Sequence, residues 1–134
     1  MDKQTKVLDR AWAEKSDAGD AKILVVTLYD AAIKSFAEIT DKINALYCAS
    51  QGIDWMVVKG RISDRAPQWD KVKAVEYALN HGSKYDYVMW IDADACFTTT
   101  KTRLKEDVID KYMTSPVEFL IGDDTPNKGR SAKE

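Results

Sequence analysis

Two aspartates separated by a single alanine close a run of large apolar residues in the middle of the chain. Asp92 and Asp94 follow residues 87–91, Tyr-Val-Met-Trp-Ile, whose composition is typical of a buried strand. Ligands bind at the carboxyl ends of strands in parallel α/β sheets, and carboxylate oxygens suit Mn²⁺ or Mg²⁺. Strand alternation would place both carboxylates on one side, where both can reach one ion. The pattern predicts a divalent metal site that holds a diphosphate; a solvated turn or a helix cap is the plainer interpretation.

Basic and aromatic residues precede this strand. Arg65 and Lys71 lie in or beside a polar segment that also contains Trp69. A guanidinium can pair with a phosphate through two parallel hydrogen bonds, whereas an ammonium acts as a point charge. We therefore expect Arg65 to pair with a phosphate, with Trp69 anchoring the loop and holding a cation over the crevice. Exposed cations on a helix surface are the alternative.

A third candidate segment, Thr27-Leu28-Tyr29-Asp30, lies at the exit of the first predicted strand. At this position of an open α/β sheet, backbone amides and an aromatic face suit a nucleotide base. An ordinary half-buried tyrosine at the sheet edge is an equally good interpretation. Asp54, which begins the next predicted strand, is expected at the opposite edge of the sheet.

The elements that position these residues alternate between strands and helices. Apolar runs predict strands at 22–28, 55–58, 86–91 and 118–121, and three- to four-residue recurrences predict helices at 31–50, 69–80 and 104–113. The apolar stripe of the first helix is expected to contain Ile33, Phe36, Thr40, Ile43 and Tyr47, and the inward residues of the second are expected to be Val72, Val75, Tyr77 and Leu79. Alternating strands and helices favour an α/β fold with a mostly parallel sheet. We expect an N-terminal arm or surface helix at 1–21, a domain at 22–126 and a polar tail at 127–134.

Composition argues against several classes of protein. The 134 residues suffice for one domain, and a net charge of −2 with scattered basic residues argues against a general nucleic-acid or acidic-membrane binder. No stretch approaches the length of a membrane span and the first twenty residues are polar, so we expect a cytoplasmic protein. Cys48 and Cys96 are expected to be reduced and mostly buried, and a single histidine, His81, argues against a zinc site.

Three motifs in order resemble one glycosyltransferase family, that of fungal Golgi galactosyl- and mannosyltransferases and plant xyloglucan xylosyltransferases. Its pattern is an N-x-x-Y-x-x-x-x-G segment, a W-x-K segment and an aromatic-rich strand that ends in D-[AS]-D-A. The corresponding residues are Asn44, Tyr47 and Gly52, then Trp69 and Lys71, then Asp92-Ala93-Asp94-Ala95. The resemblance covers residues 22–124, and the chain is similar to a compact viral or bacterial version that is short at its C-terminal end.

This resemblance implies a GT-A fold, which binds a nucleotide-sugar and Mn²⁺ (or Mg²⁺) and transfers the sugar with retention of anomeric configuration. Carried over by position, Asp92 and Asp94 are metal ligands and catalytic residues, and Lys71 is a catalytic residue that reaches the donor phosphate or sugar. The implied donor-binding residues are Thr27, Leu28, Tyr29, Arg65, Lys71, Asp92, Ala93 and Asp94. The implied partners are a donor, with a UDP-sugar favoured, and a glycan acceptor.

Two alternatives remain open at this point. Haloacid-dehalogenase-type phosphatases also place D-x-D after an apolar strand, with the first aspartate as the nucleophile. In those enzymes the motif normally opens the domain, and threonine or valine is expected where this chain has Cys96. The other alternative is a non-catalytic nucleotide-sugar-binding remnant, because family members continue further and supply a later metal ligand and most of the acceptor site. Such a remnant would expose apolar surface and favour a homo- or hetero-oligomer.

Overall fold

A computed structural model describes residues 3–8, 11–81 and 84–122 of the protein. The chain divides into two compact units, Met1–Lys101 and Thr102–Glu134. The first unit is a five-stranded mixed sheet flanked by helices, so the predicted α/β class is confirmed. The domain predicted at residues 22–126 spans parts of both units. None of the helices in the described ranges is long and apolar enough to cross a membrane.

Three parallel strands form one half of the sheet. In chain order the strands are β1 (Lys3–Leu8), β2 (Ala11–Lys15), β3 (Ile23–Tyr29), β4 (Asp54–Lys59) and β5 (Tyr87–Trp90), and the spatial order is β1-β2-β4-β3-β5. β3 pairs in parallel with β4 on one side and with β5 on the other. β3 is buried on both faces, which explains its continuous run of β-branched and apolar residues.

Residues 1–21 do not form the predicted arm or surface helix where the structure describes them. β1 and β2 form an antiparallel pair, and β2 also pairs antiparallel with β4, from Trp12↔Lys59 to Lys15↔Met56. The prediction is wrong because only strands buried on both faces need a run of bulky apolar residues. On β2 the small Ala13, which is 3% exposed, fills the core side. The sheet is therefore mixed and not mostly parallel.

Helix α1 (Lys34–Ser50), which follows a 3₁₀ turn at Ala31–Ile33, packs on one face of the sheet through small and polar side chains. Phe36 and Ile43, predicted to face inward, are 43% and 41% exposed. Two stripes of α1 have helical spacing, so spacing alone does not tell which one is buried. Ala37 and Val57 belong to one core cluster, so the helix lies close to the strands and the stripe that contains Ala37 is buried, whereas of the predicted stripe only Tyr47 is buried. The buried residues of α1 are Ala37, Asn44, Tyr47 and Cys48.

Helix α2 (Asp70–His81) packs on the opposite face of the sheet, after a 3₁₀ turn at Pro67–Trp69. Its small residues Ala74 and Ala78 enter the core on that side. Val72 and Leu79, also predicted to face inward, are instead exposed. The strand residues that meet α2 are Leu24, Val26, Met56 and Val58.

A buried carboxylate joins three segments at the amino edge of the parallel strands. The Asp54 side chain, 0% exposed, accepts hydrogen bonds from the Tyr85 hydroxyl and, at 2.7 Å, from the Ala18 amide. The ammonium groups of Lys15 and Lys84 each lie 3.4 Å from its Oδ2 atom. Burial by itself raises the pKa of Asp54, but these hydrogen bonds and charges outweigh burial and hold the pKa below its ordinary value. Asp54 lies at the edge opposite Asp92, as predicted.

The second unit contains a π-helical segment, Leu104–Ile109, that continues into α3 (Asp110–Tyr112), within the helix predicted at 104–113. The strand predicted at 118–121 is wrong, because these residues adopt no strand and Phe119 and Ile121 are 77% and 75% exposed. An apolar run forms a strand only where a neighbouring edge pairs with its backbone. Asp123, Asp124 and the tail at 127–134 lie outside the described residues.

Candidate functional site

The segments that follow the three parallel strands meet at the carboxyl edge of the sheet. Asp30 follows β3, residues 60–69 follow β4, and Asp92 and Asp94 follow β5. The Gly60 amide donates a hydrogen bond to the Tyr29 carbonyl at 2.9 Å, which joins the first two of these segments. Parallel α/β sheets bind their ligands at this edge. The structure therefore brings the three predicted site segments to the expected place.

The acidic pair lies in a turn and not on the strand. β5 ends at Trp90, and the Ala95 amide donates to the Asp92 carbonyl at 3.0 Å, which closes a turn over residues 92–95. Strand alternation therefore does not orient the carboxylates, and that prediction is wrong. Asp92 and Asp94 are exposed, whereas Ala93 between them is buried. Its methyl group joins the core cluster that contains Tyr29, Ala37 and Val57.

Asp92 is oriented by a neighbouring side chain. The indole Nε1 of Trp90 donates a hydrogen bond to Oδ1 of Asp92 at 2.7 Å, and Trp90 itself packs against the core beneath α2. Because this bond engages Oδ1, the carboxylate can reach a ligand through its second oxygen, Oδ2. A partly buried tryptophan thus limits the rotation of an exposed carboxylate.

Two exposed carboxylates fit a hard divalent cation. Mg²⁺-like ions are held by one or two carboxylates, and water and substrate phosphates complete their coordination. Within residues 3–8, 11–81 and 84–122, no third aspartate, glutamate, histidine or cysteine completes a metal-binding group with Asp92 and Asp94. The donors fit an ion that the substrate helps to hold, and they do not form a closed protein cage.

Buried Asp70 organises the loop that carries Arg65. Its carboxylate accepts hydrogen bonds from Arg61 Nε at 2.6 Å, from the Ser63 hydroxyl and from the Ile62 amide at 3.3 Å. Burial raises the pKa of Asp70, but these three partners outweigh burial and hold the pKa below its ordinary value. An ionised carboxylate at the start of α2 therefore holds residues 61–63.

Trp69 is half exposed, and its role as the anchor of this loop stays a prediction. The guanidinium of Arg65 lies 5.8 Å from the centre of its ring, a cation–π contact. Lys71 is exposed in the first turn of α2. In the described part of the chain, no hydrogen bond or ion pair joins Arg65 or Lys71 to Asp92 or Asp94. The segments that carry these cations and carboxylates lie at the carboxyl edge of the sheet, but the cations do not contact the carboxylates directly.

The segment predicted to bind a base is largely enclosed. Thr27 and Tyr29 are 2% and 4% exposed, and Leu28 packs against the core beneath α2. The ring of Tyr29 packs in the core cluster on the α1 side of the sheet and does not present a stacking face. A nucleotide base would reach this segment through its backbone, and base binding here stays a prediction.

Helix α1 holds the acidic turn through side chains that the sequence interpretation left out of the site. Thr40 Oγ1 donates to the Ala93 carbonyl at 2.6 Å. Asn44, which is 1% exposed, donates through Nδ2 to the Ala95 carbonyl and accepts at Oδ1 from the Phe97 amide, both at 3.0 Å. The turn is therefore tied to a helix by its backbone, while its two carboxylates face solvent.

Tyr47 adds a ring contact to the same segment. Its ring stacks on Phe97 with centroids 3.9 Å apart and an angle of 12° between the planes. The sequence did contain a signal for these contacts, since Asn44 and Tyr47 form the N-x-x-Y motif. A polar Asn44 between Ala37 and Cys48 on one helix stripe also needs hydrogen-bond partners when buried. The backbone after Asp94 provides those partners.

The two cysteines offer a test of the packing around this segment. Burial raises the pKa of the Cys48 thiol to about 12, whereas Cys96, also predicted to be mostly buried, is exposed. We expect the thiol reagent DTNB to modify one thiol in each folded chain at about pH 8, and both after unfolding, because a buried protonated thiol is a poor nucleophile. Peptide mass spectrometry should identify Cys96 as the modified residue. Rapid modification of Cys48 in the folded chain would contradict the packing of α1 on the sheet.

Comparison with known proteins gives the family. The sequence profile of the galactosyl transferase GMA12/MNN10 family matches residues 19–128, a range that includes Asn44, Asp70 and the Asp92–Asp94 turn. Neither the curated proteins nor the solved structures contain a significant match. The family match favours glycosyl transfer over the phosphatase alternative, which rested on the spacing of two aspartates. The chain belongs to the galactosyl transferase GMA12/MNN10 family and is a glycosyltransferase.

Proposed function

We propose that the chain binds a nucleotide-diphosphate sugar, with a UDP-sugar favoured, and transfers the sugar to a glycan acceptor with retention, within a GT-A fold. The observation that carries the proposal is the Asp92–Asp94 turn: its alanine is buried, its carboxylates are exposed, and it lies where parallel sheets bind ligands. Family membership supports the reaction class.

Asp92 and Asp94 would hold Mn²⁺ or Mg²⁺ together with the diphosphate of the donor. When bound, the ion neutralises the diphosphate and stabilises the nucleotide as a leaving group. The contribution of the chain is orientation, since Trp90 fixes Asp92 and the buried Ala93 fixes the turn between the carboxylates. Groups that are already oriented before the reaction stabilise developing charge without reorganising.

Arg65 and Lys71 would contact the donor phosphates from the neighbouring loop and helix. Asp70 holds the start of that loop, and Trp69 lies beneath the Arg65 guanidinium. Both cations would offset negative charge that develops on the leaving nucleotide. The backbone of residues 27–29 would contact the base.

Calorimetric titration of the chain with UDP and with GDP, each with and without Mn²⁺, tests donor binding. We expect UDP to bind only when Mn²⁺ is present and to bind more tightly than GDP. Release of UDP from UDP-sugars in the presence of glycan acceptors then separates a transferase from a binding remnant. Absence of nucleotide binding in every combination would contradict the proposal, and binding without turnover would contradict its catalytic part.

A further inference from the structure

The side-chain amide of Asn44 contacts the chain directly after Asp94. Its two bonds, to the Ala95 carbonyl and from the Phe97 amide, lie on either side of Cys96. A carbonyl only accepts and an amide N–H only donates, so the two backbone groups determine the orientation of the side-chain amide. A group that donates and accepts at once is needed here, and an ionised aspartate of the same size cannot replace it, because a carboxylate only accepts.

Two neighbours on α1 extend this attachment. Thr40, one turn before Asn44, bonds to the carbonyl of Ala93, and Tyr47, one turn after it, stacks on Phe97. We call these three residues, Thr40, Asn44 and Tyr47, the α1 clamp. The α1 clamp attaches residues 93–97 to a helix whose own buried face packs on β4 and β3.

We infer that Asn44 is a positioning residue that holds the Asp92–Asp94 turn in the conformation that binds the divalent ion. Trp90 orients Asp92 directly, whereas Asp94 is oriented through the backbone that Asn44 fixes. A mobile turn would have to lose conformational freedom when the ion binds, and that loss opposes binding. Partners that orient metal ligands affect metal affinity for this reason. The inferred effect on metal binding rests on the proposed metal role of the two aspartates. The attachment of the turn by Asn44 does not depend on that role.

Four variants separate the attachment from general stability. Asn44→Asp keeps an acceptor for the Phe97 amide but faces the Ala95 carbonyl with a carboxylate oxygen, and Asn44→Ala removes both bonds. Thr40→Val removes the hydroxyl that bonds to the Ala93 carbonyl and also contacts the Ala37 carbonyl of its own helix, with little change of shape. Leu46→Ala is the matched control on the same helix, because Leu46 is 73% exposed. Circular dichroism melts establish the temperature range in which each variant is folded.

The first measurement needs neither metal nor nucleotide. Cys96 is the exposed one of the two thiols, so a nitroxide label attached there reports the mobility of the segment that Asn44 bonds. We expect restricted spectra for the original chain and for Leu46→Ala, and faster label motion for both Asn44 variants well below their melting temperatures. Equal label mobility in the original chain, in Leu46→Ala and in both Asn44 variants would overturn the attachment of the turn by Asn44.

The second measurement is the Mn²⁺ dissociation constant of the unlabelled chains in the presence of UDP, from the spectrum of free Mn²⁺. We expect about tenfold weaker binding or more in the Asn44 variants, the scale seen when partners of metal ligands are removed, and no change in Leu46→Ala. Unchanged affinity in folded Asn44 variants would overturn this inference and leave the proposed function standing. No Mn²⁺ binding by the original chain would instead overturn the proposed function, and the metal part of this inference with it.

If the Asn44 variants do not fold, Thr40→Val tests whether the α1 clamp positions the turn. Loss of one hydrogen bond to the turn should weaken Mn²⁺ binding measurably while the melting temperature stays close to that of Leu46→Ala. Affinity identical to that of the original chain would overturn the role of the α1 clamp.

Discussion

The Asp94→Asn chain is expected to bind UDP no better with Mn²⁺ than without it. Asparagine has the size of aspartate but lacks the negative charge that a divalent cation needs from its ligand. Because Asp94 is exposed, the fold should be unaffected. We expect the Mn²⁺-dependent part of the affinity to fall at least about 100-fold, since loss of a ligand costs more than the 10–100-fold typical of an outer partner.

Asp86→Asn is the matched control for this experiment. Asp86 is also exposed, and its substitution by asparagine removes the same charge. It precedes β5, however, and therefore lies at the opposite edge of the sheet. In calorimetric titrations with UDP and Mn²⁺, Asp86→Asn should bind UDP with the affinity of the original chain. The affinity of Asp94→Asn for UDP should not depend on Mn²⁺. Equal behaviour of the two variants would place the metal site elsewhere in the chain.

Asp54→Asn is expected to lower the free energy of unfolding by about 2–4 kcal/mol at neutral pH. The substitution weakens the charge-assisted bonds from Tyr85 and the Ala18 amide, each worth about 1.5–3 kcal/mol. Breaking a fully buried ion pair costs about 3–5 kcal/mol, but Lys15 and Lys84 retain 28% and 38% exposure and can turn toward water. Because both lysines are partly exposed, we expect the loss of unfolding free energy to be about 2–4 kcal/mol, below the range for a fully buried ion pair.

The effect of this substitution should depend on pH in one direction. The pKa of Asp54 in the folded chain lies below the ordinary value of 3.8, so its ionised form stabilises the fold above about pH 4. That stabilisation is lost as the pH falls through the lowered pKa of the folded state. The pKa of Asp70 is also lowered, but Asp70 is present in both chains and its contribution cancels in the difference.

Urea unfolding followed by tryptophan fluorescence, from about pH 8 down to about pH 3, measures this difference. The gap between the original chain and Asp54→Asn should be constant at neutral pH and should shrink below about pH 4. Asp86→Asn, an exposed substitution, should stay within about 0.5 kcal/mol of the original chain. A gap that persists unchanged at the acid end would mean that Asp54 stabilises the fold by packing and not by charge.

Burial on both faces made the centre of the fold predictable from sequence. The strands expected at 22–28 and 55–58 are observed within one residue at each end, because strands covered on both sides admit few polar residues. The strand expected at 86–91 is observed equally closely, although its residues are only half-buried, because its run of large apolar residues is typical of a strand. The position of Asp92 and Asp94 at the carboxyl edge followed from the same runs. Helices at 31–50 and 69–80 followed from their recurrence of apolar residues and from glycines near their ends.

The antiparallel strands β1 and β2 and the buried stripes of the helices did not follow from sequence. β2 needs only small or alternating apolar residues such as Ala13 on its core side, and this pattern does not stand out from a polar arm. On α1, Phe36 and Ile43 are as periodic as Ala37 and Asn44. Only the close approach of the helix to the strands decides that the smaller set is buried.

The sequence by itself determined the α/β class, the parallel strands, the acidic pair at their carboxyl edge and, through its motifs, the family. The tertiary structure decided what holds that pair: Ala93 in the core, Trp90 on Asp92, and Asn44 on the following backbone. Asn44 and Ala95 are 51 positions apart in the chain. The N-x-x-Y motif marked Asn44 in the sequence, but its partner is a backbone group, which every residue carries, so the sequence could not show which residue Asn44 contacts before the fold was known.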